Sequence, residues 1–457
     1  MGADAPAQQP SAAEILATYV AGIRPADLTP PVTRVARLCL IDAVACAIHG
    51  SRLPWSRVLA DYVGSVAGEG PCSLPAALGR GLPAPQAALC LGAFAHAFEL
   101  DCLRKPGAGV HPGATVALPA LMVGQSLGSS GREVLAAIIA GSEVMFRIGN
   151  ATLHTPESLG FHAPGITGPF GAAAAAGRLL GLSADQLANA FGLAGSFAGG
   201  LLSFAKAREG GMVKRLHLGR AAEAGVMAAL LARNGFEAPK PILEGRFGVL
   251  DAFCEHSDAT LLTKGLGKDY EIERLCIKRY ACHVTAQAPV QLLREVMTEY
   301  GLEGDAIEGL TLTVSDKVLT HHSEQRPADL MLAQYSVPFS VATAAYRDLE
   351  DPASFSDEIL QDKAILSLSE RIELRAGRPK GWGVGLALRL RDRREISREA
   401  DSFLGCPDHP FSDADIERKF TRLTAQEDAP RMKALLAALN DFEAIADCSV
   451  GLRQVSG

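Results

Sequence analysis

Apolar residues recur at the three- and four-residue spacing of amphipathic helices from about residue 12 to about residue 260. The segment Val32–Ile48 is one example. Helix starts are marked at Ser11, Ser130 and Ser183, because each serine stands three residues before a Glu or Gln, as in a capping box. Further helices are predicted at about 85–100, 114–127, 131–147, 168–181, 184–198, 217–234 and 246–255. The first half of the chain is therefore predicted to be helical.

The pattern changes near Gly265, beyond which short alternating and β-branched runs predict strands. The predicted strands are Leu310–Val314, Ile372–Leu374 and Gly383–Leu390. Helical periodicity persists between them at about 285–300 and 336–348, and it returns after Phe411 at about 414–423 and 430–446.

Together these segments predict a mainly α protein with two domains. The first is a large all-helical domain over residues 1–265, to which C-terminal helices at 400–457 return. The second is a smaller α+β domain over residues 266–399. A chain of 457 residues has ample length for two such cores.

The composition is that of a globular protein, with 48% hydrophobic and 21% charged residues. The formal net charge of -7 argues against a nucleic-acid partner, because phosphate-binding domains carry a cationic excess. The first ten residues lack the basic-then-apolar order of a signal peptide, and Gly, Arg and Asp interrupt the alanine-rich runs, so that no stretch reaches the length of a membrane span. We therefore expect a cytoplasmic protein without a membrane partner.

The ten cysteines are scattered along the chain, and no C-x-x-C pair occurs among them. Adjacent ligands for a zinc ribbon or an iron–sulfur cluster are therefore missing. We expect the thiols to be reduced and buried as small hydrophobic groups. No metal is predicted, although a site assembled from distant segments remains open.

Ionisable groups concentrate between His96 and His111, a stretch that also contains Glu99 and Asp101. On a helix His96 and Glu99 would share a face, and the Pro-Gly-rich run after Asp101 must end that helix. This arrangement brings acidic, basic and cationic side chains together where the predicted helix ends and the loop begins. The same residues would also suit a solvated turn.

Two further histidines lie at positions that favour ligand binding. His162 lies between Gly160 and Gly165 just ahead of a predicted helix, whose N-terminus favours an anion. His283 follows Lys278 by five residues at the start of the second domain, and domain boundaries favour ligand clefts. The alternatives are a structural histidine in the first case and a surface strand in the second.

Four cations surround a Gly-Gly pair at residues 210–211 and precede a helix rich in small residues. They are Lys206, Arg208, Lys214 and Arg215. The glycines allow close approach of a carboxylate or phosphate, whereas a charge run alone would be a solvated face. The Walker A spacing G-x-x-x-x-G-K-S/T is absent, which disfavours ATP.

These clusters resemble, in order and over nearly the whole chain, the MmgE/PrpD family, which includes 2-methylcitrate dehydratase, cis-aconitate decarboxylase and iminodisuccinate epimerase. The similar segments are Leu40-Ile-Asp42, Ala95-His96 with its acidic pair, His111-Pro, Gly141-Ser-Glu143 through Gly149, Gly160-Phe-His162, Lys214 through Ala222, Leu243-Glu-Gly245, and Lys278 through His283. The resemblance implies a helical domain with an inserted α+β domain, a homodimer, and catalysis without an obligatory cofactor.

The resemblance also implies a set of pocket residues. They are Asp101, His111, His162, Lys214, Lys278 and His283, with Glu99 where the family commonly has an aspartate. Many members read Asp-x-Asp-Asp-Thr here, whereas this chain reads Glu-Leu-Asp-Cys-Leu at residues 99–103. The third carboxylate and the threonine of that motif are thus replaced.

Such a set suits proton removal next to a carboxylate, which builds negative charge that fixed cations must stabilise. Lys214, Lys278 and Arg215 can supply that positive charge. We expect His111 and His283 to transfer protons.

The remaining predicted roles concern orientation and binding. Asp101 is expected to orient a histidine or abstract a proton, and His162 is expected to bind substrate carboxylates together with the lysines. We expect a lyase of small di- or tricarboxylates, foremost a 2-methylcitrate dehydratase-like hydro-lyase. A decarboxylase or epimerase of a related acid is the alternative, and a carboxylate-binding dimer without catalysis is a third.

Overall fold

The computed structural model describes residues 9–107, 109–205, 211–378 and 381–451, and it is mainly α-helical as predicted. Its α-helices are α1 (Ala12–Gly22), α2 (Pro30–Ser51), α3 (Pro54–Val66), α4 (Ala84–Ala95), α5 (Leu118–Leu127), α6 (Gly131–Ala151), α7 (Thr155–Ser158), α8 (Ala163–Leu179), α9 (Ala184–Ser196), α10 (Val213–Arg233), α11 (Val249–Phe253), α12 (Val284–Tyr300), α13 (Asp316–His321), α14 (Leu330–Tyr335), α15 (Val337–Tyr346), α16 (Lys363–Ser369), α17 (Asp413–Leu423), α18 (Ala429–Asn440) and α19 (Cys448–Gly451).

Two of the three predicted capping boxes are complete, at Ser11 and Ser183, whereas at Ser130 the structure gives only the bond from the Glu133 N–H to the serine hydroxyl. The Ser11 hydroxyl accepts a hydrogen bond from the backbone N–H of Glu14, whose carboxylate accepts one from the backbone N–H of Ser11. Ser183 and Gln186 make the same reciprocal pair at the start of α9. These bonds satisfy N–H groups that a helix start leaves free, so each sequence signature acts through its expected mechanism.

Helix α4 ends earlier than the periodicity predicts. It stops at Ala95, and the backbone of Glu99 takes a φ of 58°, in the left-handed region that an α-helix does not use. His96 and Glu99 are therefore not on one helical face, and that expectation is wrong. The early end turns their side chains toward different partners.

Helix α6 corrects the membrane expectation. By length and composition Gly131–Ala151 is apolar enough to cross a bilayer, despite its Glu143 and Arg147. The candidate window is 94% buried inside the protein, and both charged side chains are also buried. Glu143 and Arg147 form an ion pair with each other, while Arg132 and Glu133 at the start of the helix are not buried. Helix α6 is therefore a core helix whose buried charges are paired.

Helices α4, α8 and α10 pack closely because glycines stand at their contacts. A Cβ added at Gly219 of α10 would lie 2.3 Å from the Leu89 carbonyl oxygen of α4. One added at Gly225 would lie 2.4 Å from the Pro169 carbonyl oxygen of α8. Only glycine permits this backbone separation, which brings the C-terminal end of α4 and the N-terminal ends of α8 and α10 together.

The strands form two sheets. They are β1 (Leu103–Arg104), β2 (Leu275–Cys276), β3 (Ile307–Val314), β4 (Ile372–Ala376), β5 (Val384–Leu390) and β6 (Glu395–Ala400). Strands β1 and β2 pair antiparallel, while the larger sheet has the order β4-β3-β5-β6 with β3 and β4 parallel. The short pair joins the segment after Asp101 to the segment before Lys278.

Helix α17 packs against α2, and the buried side chain of Lys419 in α17 reaches Asp42 in α2. The C-terminal helices thus contact the helical part of the chain. The domain limits given above stay a prediction.

Candidate active site

A buried carboxylate lies between two histidines where α4 gives way to the following loop. His96, which caps the end of α4, has its Nδ1 atom 3.0 Å from Asp101 Oδ2. His111 Nδ1 lies 2.9 Å from the same oxygen, at an angle that does not meet hydrogen-bond geometry. Burial alone would raise the pKa of Asp101, but the two imidazoles hold that pKa well below its usual value. Asp101 is therefore an anion.

A second buried carboxylate bridges two lysines. Glu99 contacts the ammonium group of Lys214, and its Oε2 atom lies 3.0 Å from the ammonium nitrogen of Lys278. Lys278 also donates a hydrogen bond of 3.1 Å to the Glu99 carbonyl oxygen. All three side chains are less than 10% exposed, so the structure holds two cations and one anion away from water.

His162 caps the N-terminus of α8, as the glycine-flanked motif predicts. Its Nδ1 atom lies 3.0 Å from Nδ1 of His217, which stands one turn after Lys214 on α10. The ring of His162 also packs edge-on against Phe204 and lies 6.1 Å from that of His96. Burial lowers the pKa of His162 well below its usual value, which leaves a neutral imidazole near the lysines.

His283 caps the N-terminus of α12 and belongs to a cluster of aromatic rings. Its Nδ1 atom lies 2.9 Å from the Thr285 hydroxyl, and its ring stacks on that of His322 at a centroid separation of 4.0 Å. The Tyr335 ring lies 4.9 Å from His283 and 5.0 Å from the Lys214 ammonium nitrogen. Tyr335 therefore connects His283 to the lysine pair.

Arg215 is placed differently from the other predicted residues. Its guanidinium stacks 3.8 Å from the ring centroid of Trp55, and its Nε atom donates a hydrogen bond of 2.9 Å to the Ala97 carbonyl oxygen. These contacts hold the loop before Glu99, and a substrate-binding role for Arg215 stays a prediction. Lys206, Arg208 and Gly210, from the same motif, lie outside the described residues.

Comparison with known proteins matches this architecture over most of the chain. The MmgE/PrpD N-terminal domain matches residues 14–262, and the MmgE/PrpD C-terminal domain matches residues 280–440. The chain belongs to the MmgE/PrpD family. That result confirms the resemblance found in the sequence motifs.

Three relatives within the MmgE/PrpD family show what this chain is similar to. It is 29% identical to the cis-aconitate decarboxylase-like protein oryM of Aspergillus oryzae, over 97% of this chain and 96% of the relative. It is 33% identical to a cis-aconitate decarboxylase of Aspergillus terreus, over 76% and 74% of the two chains. The human cis-aconitate decarboxylase is 25% identical over 96% of this chain and 93% of its own length.

Four residues of the candidate site were not among the predicted pocket residues. They are His96, which the sequence analysis named only as part of the ionisable cluster, and His217, His322 and Tyr335. His217 lies within the basic motif that predicted Lys214, and its position one turn later on a helix was a usable signal. His322 and Tyr335 have no charged neighbours of the same site nearby in sequence, so only the fold reveals them.

The site is largely enclosed and electrically balanced. Burial lowers the pKa of His96 to about 3 and the pKa of His283 well below its usual value, so both are neutral near pH 7. With His96, His162 and His283 neutral, the charges of Glu99 and Asp101 offset those of Lys214 and Lys278. An added polycarboxylate would leave excess negative charge, and binding it favours uptake of protons by the histidines.

One group of side chains has the donor types of a metal site. The ligand atoms of His96, Asp101 and His111 lie within 4.8 Å of one another. At His96 the negative charge of Asp101 and the positive charge of Lys214 act in opposite directions. That no metal binds here stays a prediction.

Proposed function

We propose that this protein is a lyase of small polycarboxylates and that it decarboxylates cis-aconitate or a closely related tricarboxylate without a metal. The observation that carries the proposal is the Lys214–Glu99–Lys278 group, in which two buried ammonium groups already hold one carboxylate. The names of the relatives favour decarboxylation over the dehydration that ranks first from the sequence alone. Dehydration of a methylcitrate-like acid stays a prediction.

The two lysines suit the electronic demand of decarboxylation. When the bond from carbon to one carboxylate breaks, carbon dioxide leaves and its electron pair remains on the carbon skeleton. A neighbouring substrate carboxylate takes up part of that charge, and fixed cations in a water-poor site stabilise it. Lys214 and Lys278 can serve as such cations, because both are buried and both contact Glu99.

A proton must then reach carbon to complete the reaction. His111 is suited to deliver it, because its side chain is 14% exposed and its Nδ1 atom lies 2.9 Å from the Asp101 carboxylate, which can orient the imidazole. Tyr335 is a second donor, since burial raises its pKa well above the usual value and keeps its hydroxyl protonated. The net change is one proton taken up and one carbon dioxide released.

The test is a substrate screen in deuterated water, followed by proton NMR and by release of labelled carbon dioxide. The purified protein is incubated separately with cis-aconitate, citrate, 2-methylcitrate and iminodisuccinate. We expect carbon dioxide from cis-aconitate and one deuterium at carbon in the product. Loss of water from 2-methylcitrate without carbon dioxide would favour the dehydratase instead, and deuterium exchange without turnover of iminodisuccinate would favour the epimerase.

Two controls complete the screen. Lys278→Met should abolish turnover, because it leaves Glu99 bound to Lys214 alone. Activity should survive exhaustive treatment with EDTA. If EDTA abolishes turnover and one divalent ion restores it, the metal-free part of the proposal is wrong.

A further inference from the structure

A buried ion pair links helix α2 to helix α17 directly behind Asp101. The ammonium group of Lys419 contacts the carboxylate of Asp42, and the two residues are separated by 377 positions in the chain. Asp42 is fully buried and Lys419 is 7% exposed. The Asp42 carboxylate holds the pKa of Lys419 above its usual value against the burial that would lower it. Burial raises the pKa of Asp42, and the ammonium group of Lys419 opposes that rise.

Each partner also binds the backbone next to Asp101. Lys419 donates a hydrogen bond of 2.7 Å to the carbonyl oxygen of Leu100. The backbone N–H of Cys102 donates one of 3.0 Å to the second carboxylate oxygen of Asp42. The ion pair is thus hydrogen-bonded to the backbone on both sides of Asp101, while the Asp101 side chain contacts the two histidines.

Contacts from the same region also support the segment that follows His111. Cys102 packs beneath Gly113, where an added Cβ would lie 3.0 Å from the Cys102 sulfur and 3.1 Å from Cβ of Ala43 in α2. Gly113 begins the π-helical turn Gly113–Ala117, two residues after His111. Helix α2 therefore supports both the loop that carries Asp101 and the turn that follows His111.

We propose that Asp42 and Lys419 are positioning residues, which fix the Asp101 carboxylate in the orientation that serves His96 and His111. The catalytic consequence rests on the function proposed above. Neither side chain touches the lysine pair or the histidines in the described structure, so both act through the backbone at residues 100 and 102.

Stability alone does not account for such a pair. Taking two charges out of water costs free energy that their attraction only partly returns, and apolar residues of similar volume often stabilise a protein as well or better. What an apolar pair cannot supply is an acceptor for the Cys102 N–H and a donor for the Leu100 carbonyl group. The polar pair is therefore needed for geometry.

The experiment compares two double variants that remove the buried charges together. Asp42→Leu/Lys419→Met removes both backbone contacts, whereas Asp42→Asn/Lys419→Met keeps an oxygen that can accept from the Cys102 N–H. The matched control is Asp348→Asn/Arg422→Met, which removes a more exposed ion pair between Arg422 of the same helix α17 and Asp348 outside it. Melting temperature, KM, kcat and the pH profile of kcat are measured for each.

We expect kcat to fall on the order of 10²-fold in Asp42→Leu/Lys419→Met and less in Asp42→Asn/Lys419→Met, with small changes in KM, because orientation of a general acid or base acts on the chemical step. The pH profile should shift as Asp101, whose charge raises the pKa of His96 against burial, loses its fixed orientation. The control should match the wild type. A folded Asp42→Leu/Lys419→Met variant with wild-type kcat and pH profile would overturn the proposal.

A readout independent of turnover separates this proposal from the proposed function. The ring nitrogens of His96 and His111 report their contact with Asp101 through their ¹⁵N NMR shifts. If the wild type decarboxylates none of the acids, the proposed function fails, and the positioning role is still decided by these signals. They should move in Asp42→Leu/Lys419→Met and stay in place in the control. Unchanged signals would refute the positioning role.

Discussion

Glu99 limits what the two buried lysines can offer to a ligand. Its carboxylate already contacts both ammonium groups, and its backbone is held at a positive φ of 58°. An incoming carboxylate must therefore share the lysines with Glu99 or displace it. Because histidines near the site are neutral, tighter binding of an anionic substrate at lower pH is the expected consequence.

At this residue scale, Lys214→Ala tests the lysine pair. We expect KM to rise and kcat to fall on the order of 10²-fold, because a cation that stabilises developing charge contributes to both. Steady-state kinetics with cis-aconitate provide the measurement. Arg220→Ala is the control, since Arg220 lies on the same helix in an exposed ion pair with Glu223. Equal kinetics for both variants would remove Lys214 from the reaction.

His283→Gln tests proton transfer at the second group of rings. If His283 moves a proton in the chemical step, kcat should fall by about 10²–10⁴ while the melting temperature changes little. If His283 only supports His322 and Thr285, replacement should cost about 1–3 kcal/mol of stability and leave turnover intact. Melting and single-turnover rates on one preparation distinguish these results. The exposed His256→Gln variant is the matched control.

At the scale of elements, the glycine contacts of α10 determine how closely its neighbours approach. Gly225→Ala would place a methyl group 2.4 Å from both the Pro169 carbonyl oxygen and the Cβ atom of Ala172. We expect it to destabilise the protein by about 1–3 kcal/mol. Gly64→Ala in α3 has no atom within 4 Å of the new group and should stabilise by about 0.5–1 kcal/mol.

Urea unfolding curves of the two variants provide the measurement. Opposite shifts of the midpoint relative to the wild type are expected. A Gly225→Ala variant as stable as the wild type would mean that α8 and α10 separate easily, contrary to the close packing described.

The same helices show why some elements were predictable from the sequence and others were not. Amphipathic periodicity and serine caps depend only on residues close together in the sequence. Helices α1 and α9 were therefore predicted with their capping boxes. Strand β6 was missed because Glu395–Ala400 is mostly polar, as an edge strand can be. The two-residue strands β1 and β2 exist only because distant segments meet.

The candidate site shows the same division between local and distant signals. Asp101 and His111 were found because they share one short run of sequence. Tyr335 was missed because its relation to Lys214 depends on packing between α14 and α10. The prediction that His96 and Glu99 share a helix face was wrong because α4 ends at Ala95, although the apolar periodicity continues beyond that residue.

At the scale of the whole molecule, buried histidines predict acid sensitivity. Burial lowers the pKa of His96 and of His322 to about 3 and that of His49 to about 4, whereas the unfolded value is near 6.5. Between those values the unfolded chain binds protons that the folded protein does not. Stability is therefore lost as the pH falls from 6.5 toward 4.

Glu143 opposes this trend in part. Burial raises its pKa to about 7, so its contribution to stability is present below the unfolded value of 4.5 and is lost as the pH rises through 7. Three histidines outweigh one glutamate, and we expect the free energy of unfolding to fall by on the order of 1–3 kcal/mol per pH unit between pH 6 and 4.5. Urea titrations at several pH values measure it. His49→Gln should flatten the slope, and a flat wild-type profile would contradict the assignment.

The ion pair between Asp42 and Lys419 has a consequence for biosynthesis. Helix α2 leaves the ribosome hundreds of residues before α17 does, so the nascent N-terminal helices pack while Asp42 still lacks its cation. The hydrogen bond that Lys419 donates to the carbonyl oxygen of Leu100, next to Asp101, can form only after residue 419 has been synthesised. We therefore expect a chain that ends before residue 419 to lack both the cation beside Asp42 and the hydrogen bond to the Leu100 carbonyl group, whatever its earlier helices have formed.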